Sequence, residues 1–448
     1  MHRNSVNVST KQKRIATLAE QSPHMAFTSL AYLMDIDWLK EAYRRTRKDG
    51  AVGVDGMTAE EYEQDLEGNL QRLLDRAKSG TYRAPPVRRV HIPKGGSSTE
   101  TRPLGIPCLE DKVLQRAIVM LLEPIYEHDF LDCSYGFRPG RSAHDALKSF
   151  RDQTMNSQPR GCHVYEVDIR KFFDNLDHHH LRQFLRLRVR DGVLLRLIDK
   201  WLKAGVMEDG SVSYPKSGTP QGGVISPLIS NVFLHYVLDL WFEQEVKPRL
   251  RRNAYLVRYA DDFVIGFRDH HDAQRVMDVV PKRFGKYGLT VHPTKTKLVP
   301  FRPPSVTGRK ERSPDRPGTF DLLGFTHYWG RSRKGYWIVK LKTASDRFSR
   351  AVRSIDSWCR DNRHLPLSEQ QQKLNEKLRG HYAYYGVTGN SDALSRFRWE
   401  VDRRWRRWLT RRNRERTMTW QMFCRLLQRY PLAPVRTSRS IYVRAANP

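Results

Sequence analysis

One short stretch, Tyr259-Ala260-Asp261-Asp262, constrains the fold of this chain more than any other. Runs rich in β-branched and aromatic residues flank it at 255–259 and 263–267 and predict two strands. Because side chains alternate between the two faces of a strand, adjacent acids within one strand would point apart. A tight turn between two strands can instead aim both acids at one side. The stretch therefore predicts a β-hairpin that presents two carboxylates together.

These two carboxylates allow two interpretations. Neighbouring acids between apolar strands repel each other and are costly to desolvate unless a cation lies between them. This favours a divalent metal site. Asp is also a common turn residue, so a plain Asp-Asp turn is the alternative. Features elsewhere in the chain distinguish the two interpretations.

The charge of the chain narrows the class of partner. The 448 residues include 79 Lys and Arg against 49 Asp and Glu, a formal net charge of +30. This excess goes beyond what solubility requires and implies a polyanionic partner, most simply a nucleic acid. The length predicts two or three domains.

Several classes of protein are disfavoured by what the sequence lacks. Its five cysteines are scattered without a C-x-x-C pair, which argues against a zinc knuckle and fits a reducing compartment. No apolar run approaches the ~18 residues of a membrane span. The first ten residues lack the apolar segment of a secretory signal. We therefore expect a cytoplasmic protein with no membrane partner.

The pattern along the chain predicts an α+β fold. Expected helices cover most of 11–80, with a Thr58–Glu61 capping box opening one toward Lys78, and then 110–130, 178–189, 224–241, 272–287 and much of the chain after 341. Expected strands cover 87–94, 101–107, 162–169, 289–292, 320–325 and 336–339. Residues 302–318, rich in Pro, Arg and Ser, predict a flexible segment.

Two clusters of polar side chains need separate interpretation. The histidines 178–180 invite a metal site, but adjacent residues diverge around a helix, so we interpret them as a helix capped by Asp177. In the basic hairpin of 87–107, cations that face each other repel. We therefore expect Arg89, Lys94 and Arg102 to meet phosphates.

The most basic segment is 398–416, which contains nine arginines. Val401, Trp405 and Trp408 lie at i, i+4 and i+7 and predict a buried stripe, which leaves the arginines facing outward. A solvated charged face is one interpretation, and an RNA-backbone surface is the favoured one because few acids offset the charge. The candidate RNA-binding residues are Arg403, Arg404, Arg406, Arg407, Arg411 and Arg412.

Phosphoryl transfer by two metal ions, about 3.5–4 Å apart, calls for a third carboxylate. Asp168, at the end of an apolar strand, is the natural candidate because separate strands can meet in one antiparallel sheet. A strand with an acid, then the glycine-rich loop 217–223, then an Asp-Asp hairpin is the order of a polymerase palm.

With these motifs in order, the chain resembles the group II intron-encoded reverse transcriptases, also called maturases, over nearly its whole length. The matching motifs are 92–94 with 102–107, 134–142, 166–177, 217–231, 259–262, 292–298 and 322–325. Residues 378–386 and 430–432 resemble the start and the end of the family's maturase domain, which doubles as the thumb.

The resemblance implies a role for each matching residue. Asp168, Asp261 and Asp262 would bind two Mg²⁺ ions, replaceable by Mn²⁺, with the Ile169 carbonyl as a further ligand. Lys94 and Arg102 would meet the triphosphate of the dNTP, Phe173 would exclude a ribose 2′-hydroxyl, and Gln221 would lie beside the nascent base pair. Lys295 belongs to a supporting palm motif, and Leu323, Gly324 and Phe325 match the primer grip.

It also implies an architecture and a function. The fold would be a right-hand polymerase with an antiparallel-sheet palm at 161–340, fingers with a helical N-terminal extension at 1–160, and a helical thumb and maturase domain at 341–448; part of 178–230 would also contribute to the fingers. The protein would copy RNA into DNA, bind its intron RNA and assist its splicing. Its partners would be intron RNA, a DNA target or primer and dNTPs, in a bacterial, nucleoid-associated setting rather than an organelle, and a homodimer is allowed.

One departure from the family concerns cleavage of DNA. Many members continue into a DNA-binding segment and a cysteine-containing H-N-H endonuclease, and no such cysteine pattern follows here. The chain resembles the endonuclease-lacking members, for which priming from nascent DNA at a replication fork is expected. Two alternatives stay open: a domesticated reverse transcriptase in repair or phage defence, and a non-enzymatic RNA-binding splicing factor.

Overall fold

The computed structural model of the protein describes residues 2–93, 101–156, 161–214, 217–219, 222–304, 318–412 and 417–441. Helices and strands are both numerous, and the predicted α+β class is confirmed. No helix in these ranges is both long and apolar enough to cross a membrane.

The helices and strands follow one another along the whole chain. The α-helices are α1 (His2–Gln21), α2 (Ile36–Arg45), α3 (Ala59–Glu63), α4 (Leu66–Ser79), α5 (Leu109–Asp129), α6 (Ala143–Met155), α7 (Phe172–Asn175), α8 (His178–Arg188), α9 (Gly192–Leu202), α10 (Ser226–Leu234), α11 (His270–Gly285), α12 (Ser345–Asp361), α13 (Leu367–Tyr385), α14 (Ser391–Thr410) and α15 (Trp420–Arg429). The strands are β1 (Val87–Pro93), β2 (Thr101–Ile106), β3 (Cys162–Val167), β4 (Val206–Glu208), β5 (Ser211–Ser213), β6 (Ala254–Tyr259), β7 (Asp262–Phe267), β8 (Lys297–Phe301), β9 (Phe320–Leu322), β10 (Phe325–Arg331) and β11 (Trp337–Thr343).

The strands form three sheets. Their strand orders are β2-β1-β4-β5, β6-β7-β3-β8 and β11-β10-β9. In the first sheet β1 pairs antiparallel with β2 and parallel with β4. In the second sheet β6 and β7 form the predicted hairpin, with the register running from Ala254↔Phe267 to Tyr259↔Asp262. Nearly every residue of β6 and β7 is buried, which explains their continuous apolar sequences.

The chain divides into two compact units. The described part of the first covers 2–93, 101–142, 165–214, 217–219 and 222–297. Its core is built around α5, whose apolar residues are buried on every side of the helix; the fully buried ones are Val113, Leu114, Ala117, Ile118, Leu121, Leu122 and Ile125. Helices α1, α2 and α10 pack against α5. A helix that is apolar all round has to be enclosed in this way.

The described part of the second unit covers 143–156, 161–164, 298–304, 318–412 and 417–441. Helices α12 to α15 share one apolar core, to which α14 contributes Leu394, Phe397, Val401, Trp405 and Leu409. The predicted stripe on α14 is therefore confirmed for Val401 and Trp405. Trp408 is only partly buried, because its indole Nε1 turns to donate a 2.9 Å hydrogen bond to Asp356.

Several predicted boundaries are corrected by local hydrogen bonding. The Thr58–Glu61 capping box is present, but the helix it opens ends at Glu63, and Asp65 caps a new helix by accepting a 3.3 Å bond from the Gly68 amide. The predicted strand at 289–292 is only a bridge between Val291 and Ile169. The regular strand lies later, at β8.

Two further predictions concern helices 178–189 and 224–241. Asp177 caps α8, with its side chain accepting a 2.8 Å bond from the His180 amide, so the interpretation of the three histidines as a helix start is confirmed. The apolar helix after Ser226 is α-helical only to Leu234 and continues in wider π-helical turns to Val246. Most of the predicted flexible segment, 305–317, lies outside the described residues.

Candidate active site

The turn between β6 and β7 holds one of the two acids. Because Tyr259 pairs with Asp262, the turn itself consists of Ala260 and Asp261, and Asp262 is the first residue of β7. Ala260 has a φ of +57°, a conformation that favours glycine at the first position of a hairpin turn. A Cβ at Gly136 would lie 2.3 Å from the Ala260 nitrogen, so only glycine fits against this turn.

The pKa of Asp261 is shifted by burial and by the charges of nearby residues. Burial raises the pKa of its carboxyl above the usual value, and the negative charge of Asp168 adds to the rise. The cations of Arg102 and Arg258 oppose this shift in pKa. Asp261 therefore lies within electrostatic reach of the carboxylate that follows β3 and of the arginine of β2.

Asp168 follows the last residue of β3 and is held through its backbone. Its carbonyl accepts a 2.7 Å hydrogen bond from the His292 amide, and its own amide donates to the Thr296 hydroxyl at 3.4 Å. The Lys295 ammonium lies 3.3 Å from the Asp168 carboxylate, whose side chain is 38% exposed. Lys295 thus places one positive charge beside Asp168.

The direction of the Ile169 carbonyl follows from the pairing of Ile169 with Val291. Ile169 and Val291 face each other across an antiparallel bridge. On one side of this pair the Arg170 amide donates a 2.8 Å hydrogen bond to the Thr290 carbonyl. On the other side the His292 amide donates the 2.7 Å bond to the Asp168 carbonyl. The pair is therefore of the non-hydrogen-bonded type, and the Ile169 carbonyl points away from the Val291 segment.

These groups fit a hard divalent cation. Asp168, Asp261 and Asp262 offer carboxylate oxygens and Ile169 a carbonyl oxygen, which are the donors that Mg²⁺ takes. Burial raises the pKa of Asp261, and the negative charge of Asp168 raises it further. A cation between them would relieve that repulsion and keep both ionised.

A separate group of possible metal ligands, formed by Asp269, His271 and Asp272, has a structural explanation. The Asp269 side chain caps α11 by accepting a 3.0 Å bond from the Asp272 amide. The Asp272 carboxylate accepts a 2.8 Å bond from the Arg251 amide. The cluster sits at a helix N-terminus, where the helix dipole disfavours a cation.

The predicted nucleotide pocket is built by glycines that allow close backbone contacts. Gly218 has a φ of +91°, and a Cβ there would lie 2.7 Å from the Phe173 carbonyl. Gly222 has a φ of +116°, and its Cβ would lie 2.6 Å from the Gly105 carbonyl of β2. Gly218 is therefore seated against Phe173, and Gly222 against the strand of Arg102.

The described residues include only part of the predicted nucleotide pocket. Lys94 and Gln221 lie outside the described residues. Phe173 is half-buried, with its ring edge-on to Phe172 at 5.3 Å between centroids, and its carbonyl accepts a 2.8 Å bond from the Thr219 amide. Arg102 is exposed on β2.

The three residues matched to the primer grip form a tight turn. Leu323 and Gly324, both with positive φ (50° and 79°), join β9 to β10, and the buried Phe325 begins β10. The Tyr384 hydroxyl donates a 2.8 Å bond to the Leu323 carbonyl, and a Cβ on Gly324 would lie 3.0 Å from the Tyr385 hydroxyl. The predicted single strand 320–325 is therefore broken by a turn anchored on α13.

The candidate RNA-binding arginines of α14 fall into two groups, of which the first is paired with acids. Arg404 lies 3.5 Å from Asp356 and 3.2 Å from Glu400, and its side chain is only 25% exposed. Arg407 lies 3.9 Å from the same Asp356 carboxylate. These ion pairs offset part of the charge of both arginines, with Arg404 half-buried and Arg407 exposed.

The other arginines of this set lie against aromatic rings or backbone, and Arg403 also lies 3.4 Å from Glu400. Arg403 stacks over Trp399 at 4.5 Å, and Arg411 over Trp408 at 4.9 Å. The remaining contacts are Arg406 over Trp420 at 5.5 Å and a 3.2 Å bond from Arg412 to the Leu365 carbonyl. Trp399 stays 50% exposed, so this side of α14 presents cations and an indole to solvent.

One functional candidate was missed by reading the sequence. Arg258 is completely buried in β6 and donates a 3.0 Å hydrogen bond to the carbonyl of Ala260, the first turn residue. A charged residue inside the otherwise apolar run 255–259 was the available signal. The partners of that charge come from distant parts of the chain and are not visible locally.

Two family models and several known proteins match this chain. A reverse transcriptase (RNA-dependent DNA polymerase) model matches residues 92–327, and a model of the group II intron maturase-specific domain matches residues 348–425. Protein YkfC of Escherichia coli K12 is 36% identical over 288 residues, which cover 58% of this chain and 75% of that protein.

Two other relatives are encoded by or named for introns. The group II intron-encoded protein LtrA of Lactococcus lactis is 36% identical over 245 residues, covering 53% of this chain and 40% of LtrA. An uncharacterised 91 kDa protein in the cob intron of Schizosaccharomyces pombe is 25% identical over 455 residues, covering 86% of this chain and 54% of that protein. The chain thus spans about half the length of these two relatives.

Proposed function

Because the chain belongs to the reverse transcriptases and also carries the maturase-specific domain of group II introns, we propose that it copies RNA into DNA and binds group II intron RNA. The observation that carries the polymerase proposal is the convergence of Asp261 with Asp168 and Arg102. Carboxylates that can hold metal ions and a cation that can meet a triphosphate are the groups that nucleotidyl transfer to a primer would use.

Within this proposal each residue of the site has a task. Asp168, Asp261 and Asp262 would hold two Mg²⁺ ions, which when bound supply charge stabilisation to the attacking and leaving oxygens. Arg102 would orient the triphosphate of the dNTP through charge-assisted hydrogen bonds. Phe173 would occupy the space of a ribose 2′-hydroxyl. The Leu323–Phe325 turn would position the primer.

The architecture proposed for this activity is a right-hand polymerase. The sheet that contains β3, β6 and β7 would be the palm within 161–340, the β1–β2 hairpin would belong to fingers within 1–160, and α12 to α15 would form the thumb and maturase domain within 341–448. The exposed arginines of α14 support the assignment of RNA binding to that last region, since phosphate contacts dominate affinity for nucleic acids.

Replacing one carboxylate tests the polymerase proposal. Asp261→Ala should lower primer extension on an RNA template by at least about 100-fold, because it removes a group that acts on charge developing in the transition state. Binding of intron RNA should persist, because the arginines of α14 are untouched. Asp278→Ala, which removes an exposed carboxylate from α11, is the matched control and should keep wild-type extension.

The measurement is extension of a labelled DNA primer with Mg²⁺ and dNTPs, alongside filter binding of the RNA and thermal unfolding. A folded Asp261→Ala protein that extends primers at the wild-type rate would overturn the assignment of the site. Equal loss of extension and RNA binding in a folded protein would contradict the separation of the two activities.

A further inference from the structure

A single arginine beneath the catalytic turn is buried together with its charge partner. Arg258 lies in β6, and its side chain and that of Asp239 are both 0% exposed. The guanidinium holds the carboxylate with two hydrogen bonds, from Nε to Oδ1 at 2.7 Å and from Nη2 to Oδ2 at 2.6 Å. Burial of a charge is tolerated only when it is paired and fully hydrogen-bonded.

The remaining donors of Arg258 reach three other segments. Nη1 donates to Asn231 Oδ1 at 2.9 Å and to the Ala260 carbonyl at 3.0 Å, and Nη2 donates to Ser134 Oγ at 2.7 Å. A guanidinium has five N–H donors, and these contacts use all of them. We call Ser134, Asn231, Asp239, Arg258 and the Ala260 carbonyl the Arg258 network.

The contact with Ala260 fixes the part of the turn that carries the acid. The Ala260 carbonyl belongs to the peptide unit that joins Ala260 to Asp261, and a peptide unit is planar. Holding its oxygen therefore sets the direction in which the backbone enters Asp261. This matters because Ala260 has a φ of +57°, which a non-glycine residue adopts only when its surroundings impose it.

The Arg258 network also contacts the turn through Gly136. Asn231 accepts from Arg258 and donates from its Nδ2 to the Gly136 carbonyl at 2.7 Å. Gly136 is the residue that abuts the Ala260 nitrogen. The turn is thus held through its carbonyl on one side and against Gly136 on the other, and both contacts depend on Asn231 and Arg258.

We propose that Arg258 is a positioning residue that sets the geometry of the metal-binding turn through its hydrogen bond to the Ala260 carbonyl. This inference rests on the proposed polymerase function. It assigns the Arg258 network a task beyond stability: it holds Asp261 in place for the cation and keeps the turn from relaxing when the acids repel each other.

The test measures cation binding directly, with Mn²⁺ alone as the probe and its electron paramagnetic resonance signal as the readout. Arg258→Lys keeps a positive charge beside Asp239 but cannot supply the planar, five-donor fork. We expect it to weaken Mn²⁺ binding about tenfold, the effect of losing one charge-assisted hydrogen bond, and to lower kcat for primer extension.

Arg188→Lys is the matched control, since Arg188 is also buried and ion-paired, 2.9 Å from Asp129. It should lower the unfolding temperature and leave Mn²⁺ affinity unchanged.

A second variant separates positioning from folding in case Arg258→Lys does not fold. The pair Arg258→Met with Asp239→Leu removes both charges, so no unpaired charge stays buried. If the double variant unfolds at the wild-type temperature but binds Mn²⁺ about tenfold more weakly, the positioning role is supported. If it folds and binds Mn²⁺ as the wild type does, the network is only structural and the inference is wrong. Equal Mn²⁺ binding by the wild type and Asp261→Ala would instead overturn the proposed metal site itself.

Discussion

At the scale of a single residue, Phe173 shows how a backbone contact can place a side chain. Its carbonyl is bonded to the Thr219 amide, and Gly218 permits the close approach of the loop. Its ring is supported edge-on by the buried Phe172. A ring fixed in this way has little freedom to move aside for an additional oxygen on an incoming nucleotide.

We predict that Phe173→Ala increases incorporation of ribonucleotides relative to deoxyribonucleotides. The discrimination should fall by about tenfold or more, because the space that the ring denies to the 2′-hydroxyl becomes open. The ratio of kcat/KM for dGTP and GTP in primer extension measures the effect. Tyr214→Ala, which removes an aromatic ring that is 74% exposed in the same compact unit, should leave the ratio unchanged. An unaltered ratio in Phe173→Ala would contradict the assignment.

At the scale of an element, α14 combines two different uses of arginine. Arg404 lies between Asp356 of α12 and Glu400 of its own helix, so its charge serves to hold helices together. Arg403 and Arg411 are exposed and stack on Trp399 and Trp408. A guanidinium held over an indole is ordered and still has donors for a phosphate.

This division predicts distinct effects of substitution on α14. Arg403→Gln combined with Arg411→Gln should lower the slope of log affinity against log salt by about two, because each arginine that no longer binds a phosphate reduces the slope by roughly one. Arg404→Gln should leave the slope nearly unchanged and lower the unfolding temperature, because it breaks ion pairs within the bundle. Titration of a labelled intron RNA at several salt concentrations measures the slope. A wild-type slope in the double variant would exclude this side of α14 as the RNA surface.

At the scale of the whole molecule, buried titratable groups couple stability to pH in opposite directions. Burial lowers the pKa of His235 to about 4, of His381 to about 4 and of His327 to about 3. Burial also raises the pKa of Asp111 to about 7, with the Tyr82 hydroxyl as its hydrogen-bond donor. Lowering the pH below about 6.5 favours protonation of the histidines in the unfolded chain, so they destabilise the fold in acid. As the pH rises from 3.8 to about 7, Asp111 ionises in the unfolded chain but keeps its proton in the fold, so its contribution to stability is lost across that range.

His327 offers the cleanest test of this coupling. It is fully buried and stacked on Phe320 at 4.6 Å between ring centroids. Its contribution to stability is complete above its unfolded pKa and decreases as the pH falls toward about 3. The slope for one such histidine is about 1.4 kcal/mol per pH unit.

We predict that His327→Phe loses stability less steeply than the wild type between pH 6.5 and pH 4, because one buried imidazole no longer takes up a proton on unfolding. Urea unfolding at a series of pH values gives the two slopes. The exposed His364→Phe serves as control and should follow the wild-type profile. Parallel profiles for His327→Phe and the wild type would show that His327 is not the neutral buried base described above.

Several local features of the fold, and its class, could be predicted from the sequence alone. The Asp261-Asp262 hairpin, the helix caps at Thr58 and Asp177, the all-round apolar α5 and the α+β class are encoded in local spacing and in the periodicity of apolar residues. The family was likewise predicted from the order of short motifs and is confirmed by the matching models. These signals are readable because each depends on neighbours within a few positions.

What only the tertiary structure decided depends on residues far apart in the chain. Sequence spacing could not show that Arg258 pairs with Asp239 and reaches Ser134, or that Arg404 turns inward to Asp356 while Arg403 stays exposed. It could not place the turn at Leu323 and Gly324, because positive φ values there are stabilised by contacts from α13. A buried or paired charge is defined by its partners, and no local pattern specifies partners that only folding brings within hydrogen-bonding distance.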